Sequence, residues 1–406
     1  MTRCRLCAGP ADVFIRFGRM PVANAFLRED EFAGEYFYDL SAAFCERCAM
    51  PQLVHAPPPE KMFHERYPFF TSSSRLMESH FERFAAEIRG RWLDGPDRLA
   101  VEIGSNDGTL LANFAGSDVR SLGVEPSANV AAVARAKGVR SLARFFDDGA
   151  AALILAEEGL ADVVLSANCL SHVHDLHALG RNVDRILKPR GVLVFEEPYA
   201  GDILESGAYD QIYDEHMYYF SLAAASRWLE GHGFEIVDAR PQPVHGGSMR
   251  YTAARRGVHA IGDSVAALRR DEARRALDRA ATFVAFRERV ERSRDDLLAL
   301  LGQARRDGKR VAGYGATSKS TTVLNYCGIT RELVEYISDT TALKQGRFSP
   351  GMHIPVESHA HFSSDYPDLA LLFAWNHARE ILDKEREFVA GGGRWVVYVP
   401  EVGPIG

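Results

Sequence analysis

The sequence predicts an α/β protein in three units, and three observations carry that prediction. Between Arg98 and Arg256 short β-branched apolar runs alternate with helical stretches, the pattern of a mostly parallel sheet covered on both faces. After Arg310 the same alternation resumes in a second, smaller α/β unit. Ahead of both, four of the six cysteines fall within the first 48 residues as two close pairs. A chain of 406 residues is also too long for one typical core. With 46% hydrophobic and 25% charged residues, disorder, collagen and a small disulfide scaffold are excluded.

The first unit is read as residues 1–60, turn-rich and ending in Ala56-Pro57-Pro58-Pro59. So short a stretch buries little core, so a metal staple suits it. From Glu60 to Trp92 the pattern is helical, interrupted by a loop at Tyr67-Pro68-Phe69-Phe70-Thr71-Ser72-Ser73-Ser74. Residues 61–256 form the central unit with this helical lead-in. Its expected strands are Leu99–Ile103, Leu122–Glu125, Asp162–Ala167, Gly191–Phe195, Phe234–Val237 and Met249–Ala254. Helices are expected at Asn129–Lys137 and Leu176–Leu187, and the last two strands, with no helix between them, should form an antiparallel edge hairpin. Residues 257–307 are a helical connector with Phe283, Phe286, Val290, Leu297 and Leu301 as one apolar stripe. Residues 308–406 complete the chain, with strands expected at Arg310–Tyr314, Leu333–Ile337, Leu369–Ala374 and Trp395–Val399.

Charge and hydropathy narrow the function classes. Forty-eight Lys and Arg against 55 Asp and Glu give a net charge of −7, which argues against a nucleic-acid partner. No apolar stretch approaches the ~20 residues of a membrane span, and no signal-peptide core follows the first residues. A cytoplasmic protein without a membrane partner is expected. In a reducing compartment Cys4, Cys7, Cys45 and Cys48, spaced C-x2-C-x37-C-x2-C, read as metal ligands. Two such knuckles close a tetrahedral zinc site with no open position, hence a structural one.

The central unit opens with Val101-Glu102-Ile103-Gly104-Ser105-Asn106-Asp107-Gly108, a strand running into a glycine turn. Glycines admit a ligand close to the backbone, and a helix start offers free N–H groups. Glu125, 21 residues after Gly104, is placed to accept hydrogen bonds from ribose hydroxyls. Ser105 stands where a dinucleotide fingerprint has its second glycine. A ligand with a ribose but no pyrophosphate fits better, and S-adenosylmethionine (SAM) is the candidate the loop favours over NAD. A second turn, Gly313-Tyr314-Gly315-Ala316-Thr317-Ser318-Lys319, suits a phosphate-bearing group or is a plain βα turn. In Tyr209-Asp210-Gln211-Ile212-Tyr213-Asp214-Glu215-His216 a phenol, carboxylates and an imidazole are close enough to make a tuned general base, or form a plain polar loop before a helix capped by Ser221. His172, His174 and His177 are spaced too unevenly for a second metal, but one of them facing a ligand cleft is expected.

In this order, the motifs resemble the zinc-containing, SAM-dependent sugar C-methyltransferases, which methylate C-3 of thymidine-diphosphate-linked (dTDP-linked) 4-keto-6-deoxy sugars in antibiotic deoxysugar pathways. The resemblance spans essentially the whole chain. It rests on the cysteine pairs, the Tyr67 to Ser74 segment, Glu102 to Gly108, Tyr213-Asp214-Glu215-His216, His245-Gly246-Gly247-Ser248-Met249-Arg250, Gly313 to Ala316 and Ala374-Trp375-Asn376-His377. It implies Rossmann-like central and C-terminal units, with SAM at Glu102, Gly104, Asn106, Asp107, Gly108, Glu125, Pro126 and Asn168. It also implies that His216 removes the C-3 proton, Glu215 orients the ring and Tyr213 hydrogen-bonds nearby, with Tyr67 and His172 lining the site. The enolate would take the SAM methyl with inversion at C-3. His245, Gly246, Ser248, Arg250 and Lys319 are the expected contacts to the dTDP-sugar, on a monomer or weak homo-oligomer.

The departures are mild: Phe69 and Phe70 stand where another tyrosine is often found, and Ser105 where a cysteine can be. Three other readings share parts of the pattern. A zinc-ribbon nucleic-acid methyltransferase would show salt-sensitive binding to nucleic acid. A nicotinamide-dependent oxidoreductase would bind NAD rather than SAM, and a SAM-binding assembly subunit would be indifferent to His216. Methylation at another carbon beside the ketone is a variant of the main reading.

Overall fold

In the computed structural model, which describes residues 2–65 and 67–406, the described residues form three sheets. The first runs Thr2–Arg3, Pro10–Pro21, Phe37–Cys45, Met50–Leu53 in that order, antiparallel throughout. Two bulges in the pairing of Pro10–Pro21 with Phe37–Cys45 twist this ribbon so that it wraps onto the rest of the chain.

The second sheet has seven strands, ordered Phe234–Gln242, Ser248–Arg255, Leu187–Pro198, Ala161–Ala167, Arg98–Ile103, Val119–Val124, Ser141–Leu142. The last five are parallel and the first two form the antiparallel edge hairpin expected from the missing helix. Leu99, Ala100, Val101 and Ile103 on the central strand are all buried, as a sheet covered on both faces requires. Side-chain caps start its helices: Asp147 accepts from Ala150 N–H, Asp175 from His177 and Ala178, and Ser221 from Ala224. From Arg98–Ile103 the chain first builds outward to Ser141–Leu142, then returns to lay Ala161–Ala167 on the other flank. That reversal opens a crevice beyond the strands' carboxyl ends.

The third sheet has six strands, Val356–Glu357, Ile337–Ser338, Val311–Tyr314, Leu369–Leu372, Arg394–Val397 and Gly403–Ile405, parallel except for the last. One expectation needs correction here. Of the strand anticipated at Leu333–Ile337, only Ile337–Ser338 pairs. Leu333 and Val334 lie in a turn whose N–H groups both reach the carbonyl of Thr330, and the burial of Val334 mimics a strand's apolar pattern.

The connector is two helices, Asp263–Arg274 and Ala280–Arg306. The stripe Phe283, Phe286, Val290, Leu297 and Leu301 is buried. Phe283 stacks on Phe44 of the first sheet with centroids 4.0 Å apart, while Ser293 Oγ donates to the Tyr398 carbonyl beyond the third. A single apolar cluster therefore runs from Cys4 to Val399. Among the described residues no helix is long and apolar enough to cross a membrane.

Candidate active site

Two walls face one cavity of ≈ 770 Å³, which Glu102, Asn168, His216, Lys319 and Asn24 all line. The first wall is local in sequence. The strand Arg98–Ile103 ends at Gly104, whose φ is +70° and whose added Cβ would lie 2.3 Å from Cys169 Sγ. Glycine is required there on both counts. Glu125 accepts from the N–H of Asn106 (3.1 Å) and of Ser127 (2.8 Å), fixing the turn. Burial, reinforced by Glu125 and Asp107, pushes the Glu102 carboxyl up. Glu102 Oε2 and Asn168 Oδ1 are buried without a partner among the described residues.

This wall suits SAM. Open acceptors beside a carboxylate match a ligand bringing an ammonium and two ribose hydroxyls, whereas a pyrophosphate would meet like charge. Not every residue expected to touch the cofactor opens on the cavity. Asp107 is fully buried, off the cavity and saturated by Ser72, Thr109 and Lys137. Gly108 packs against Ala134 and Val139. Asn106 lines the cavity, but its Oδ1 accepts from Thr71 N–H and hydroxyl (2.9 and 3.1 Å). Asn106 and Asp107 thus clip the Tyr67–Ser73 segment over the turn. Glu102, Gly104, Glu125, Pro126 and Asn168 all lie on the wall.

The second wall is assembled from distant segments. His216 is buried, with Nδ1 2.8 Å from the Gln211 carbonyl and Nε2 2.9 Å from Tyr213 Oη. A carbonyl only accepts, so Nδ1 carries the proton and the Nε2 lone pair accepts from the phenol. Burial holds the ring down at about 4, so it is neutral near pH 7. His172 stacks on it at 5.3 Å and on Phe63 at 5.5 Å. Burial, then the neighbouring His216, lowers His172 as well. Its Nε2 has no partner among the described residues.

Glu215 does not orient His216, contrary to the expectation; the backbone carbonyl of Gln211 does. The Glu215 carboxylate instead accepts from Asn24 Nδ2 (2.7 Å) and Tyr67 Oη (3.0 Å). Burial wins over both donors and pushes it up to about 7.

Of the residues expected to contact the sugar nucleotide, His245 and Lys319 reach the cavity. His245 Nε2 is buried and has no partner among the described residues, and burial presses the ring down to about 3. Lys319 donates to Asn376 Oδ1 at 3.2 Å and sits 4.8 Å above the Trp375 ring. The others face elsewhere. Gly246 lies under Trp375, and the Ser248 hydroxyl donates to the Val244 carbonyl. Arg250 is committed to Glu196 and Glu87 and lies 3.6 Å over Phe84. A second cavity lysine, Lys344, donates to the Ala316 carbonyl at 2.7 Å. Neither Lys344 nor Asn24 was anticipated. Lys344 follows the carboxyl end of Ile337–Ser338, the one signal that points to it.

The four cysteines come together as their spacing requires, with sulfurs all within 4.8 Å of one another. The Cys4–Cys48 and Cys7–Cys45 contacts are 3.5 Å. That is far beyond a disulfide bond and close to the ~3.8 Å edge of a tetrahedron with ~2.3 Å Zn–S bonds. Gln52 Nε2 and the Leu6 and Cys7 N–H groups all point at Cys4 Sγ. These donors suit a thiolate, so the site is a structural zinc site.

A doubly wound sheet, an acceptor-lined turn and a neutral buried imidazole in one cavity define a SAM-dependent methyltransferase. Comparison with known proteins narrows the class. Three family models match in series: "Putative zinc binding domain" over residues 4–63, "Methyltransferase domain" over 74–239 and "C-methyltransferase C-terminal domain" over 243–400. The chain is 36% identical over 403 residues to C-methyltransferase NovU of Streptomyces niveus, covering 98% of this chain and 95% of that one. The chain belongs to this C-methyltransferase family.

An uncharacterized methyltransferase of Mycobacterium leprae is 33% identical over 97 residues, 24% of this chain and 36% of its own. Among solved structures, a SAM-dependent methyltransferase from Anabaena variabilis covers 44% of this chain and 86% of its own at 16% identity and TM-score 0.36. Magnesium protoporphyrin IX methyltransferase of Synechocystis covers 44% and 79% at 14% identity and TM-score 0.34. Likeness at those scores adds nothing to the assignment.

Proposed function

We propose that the enzyme methylates C-3 of a dTDP-linked 4-keto-6-deoxy sugar, with inversion at that carbon, in a deoxysugar pathway of antibiotic biosynthesis. The observation that carries this reading is His216, a neutral imidazole that lines the same cavity as the cofactor wall, its Nε2 lone pair held by the Tyr213 phenol. A ketone at C-4 acidifies the C-3 hydrogen, and a base held unprotonated at neutral pH is what removing it requires. Nε2 takes that proton, while Gln211 holds Nδ1–H and so fixes the ring. Tyr213, released from Nε2, donates to the developing oxyanion. When bound, SAM supplies the electrophilic methyl that the carbanion takes.

Lys319 and Lys344 bring two lysines to the cavity on the side of His216 and Glu215, which suits a diphosphate better than a neutral sugar. Four thiols kept reduced for zinc fit a cytosolic setting. The test is incubation with labelled SAM and a panel of dTDP-linked 4-keto sugars, the new carbon being located by NMR. Label at C-3 is expected; label at C-5, or in nucleic acid only, overturns the reading.

A further inference from the structure

The long ribbon of the N-terminal unit has two ends. At one, Cys45 and the neighbouring knuckles gather the sulfurs. At the other, where Pro21 pairs with Phe37, the chain turns through Ala23 and Asn24. Twelve residues of strand, Pro10–Pro21, separate the two ends by roughly 35 Å. The far end is held tightly. Ala23 N–H donates to Asp214 Oδ1 at 3.0 Å, and the Ala23 carbonyl accepts from Thr321 Oγ1 at 2.8 Å. The Asn24 backbone is therefore pinned between the loop that carries His216 and the helix Ser318–Cys327 of the C-terminal unit. Its side chain lines the cavity and donates to Glu215 Oε1 at 2.7 Å.

We infer that the N-terminal unit completes the active site: Asn24 is a positioning residue that fixes the Glu215 carboxylate, in its ionised form, on the cavity wall beside the base. This rests on the reading of His216 and Glu215 as parts of a methyl-transfer site. The geometry gives the reason. Among the described residues Glu215 has two side-chain donors, Tyr67 and Asn24, each on a segment outside its own loop. Losing one leaves a buried carboxylate oxygen without a donor, and a carboxylate then takes up a proton more readily. Among the described residues, the charged and titratable groups facing Glu215 are Asp214 and Tyr213 on its own loop, Tyr67 on the lead-in, Tyr38 on the ribbon and Lys344 on the C-terminal unit. All of them persist in an Asn24 variant, so a changed titration reports the lost amide alone.

The test uses the SAM-bound, zinc-loaded enzyme. In Asn24→Ala, carboxyl carbon NMR, with the Glu215 signal identified through Glu215→Gln, should show the titration of Glu215 displaced upward by about one unit. The acid limb of kcat/KM should move with it. Turnover then falls about tenfold at pH 6.5 and under threefold at pH 8.5. Asn24→Gln, which keeps the donor, should restore part of the shift. An unchanged Glu215 titration overturns the inference. So does a loss of turnover that is equal at every pH, since that is what a merely structural residue would give. If the wild-type enzyme is inert toward every keto sugar while the titration still moves, the proposed substrate falls and the role of Asn24 stands.

Discussion

The two walls of the cavity are built in opposite ways. The cofactor wall comes largely from one stretch, Arg98 to Pro126, where strand, glycine turn and acidic strand end are consecutive. The catalytic wall draws Asn24, Tyr67, His172, His216, Lys319 and Lys344 from all three units. A local wall depends on backbone conformation at a few positions, so it tolerates change elsewhere. A wall of distant segments depends on the docking of whole units, through links such as Thr322 Oγ1 to the Ile212 carbonyl and Trp375 Nε1 to Asp210. Such docking lets one fold keep its cofactor while the second wall is refitted to a different substrate.

Breaking the catalytic wall alone should have the largest effect. His216→Asn removes the proton acceptor while leaving Glu102, Gly104 and Glu125 in place. Methyl transfer should fall about 10²–10⁴-fold, and deuterium exchange from solvent at the reacting carbon should vanish with it. Calorimetric SAM affinity should stay within a few-fold of wild type. Exchange at the wild-type rate would clear His216 of the base role.

Breaking the cofactor wall should show the reverse pattern. Gly104→Ala forces a left-handed φ on a residue with a Cβ and drives that Cβ into Cys169. At about 1–3 kcal/mol for such strain, SAM affinity should drop roughly 10–100-fold. Binding of the sugar nucleotide, followed by equilibrium titration, should hardly change. A variant that loses both ligands equally would show that the walls are not separable.

What the sequence disclosed follows the same division. Paired cysteines, the Gly104 turn with Glu125, and the edge hairpin are all written in consecutive residues, and each could be read there. His216 stood out because polar groups crowd its loop. Its orienting partner did not, because the Gln211 carbonyl is backbone and carries no sequence signal. Glu215 was misassigned for the same reason: its neighbour in sequence is His216, but its neighbours in space are Asn24 and Tyr67. Arg250 looked like an anion contact until the strands placed Glu196 and Glu87 around it. The turn at Leu333–Val334 was hidden by burial, since a buried turn and a buried strand share one apolar pattern.

The smallest expected effect concerns stability rather than rate, and it tests whether burial is what keeps the base unprotonated. His216 is held at about 4 in the folded chain, against ~6.5 for a free histidine. Between those values the unfolded chain binds more protons, so this ring makes the fold less stable as pH falls from 6.5 toward 4. Glu215, held at about 7, acts in the opposite sense, favouring the fold as pH falls through 7. Comparing wild type with His216→Asn largely cancels Glu215 and isolates the imidazole. On going from pH 7 to pH 5 the wild type should lose about 2 kcal/mol more than the variant, measured by urea unfolding of the zinc-loaded protein. Identical losses would mean that the ring takes up its proton as readily inside the fold as outside it. About a quarter of the rings would then be protonated at pH 7 and about three-quarters at pH 6, so burial would not be what keeps the base free, and that contrast with the cofactor wall would go.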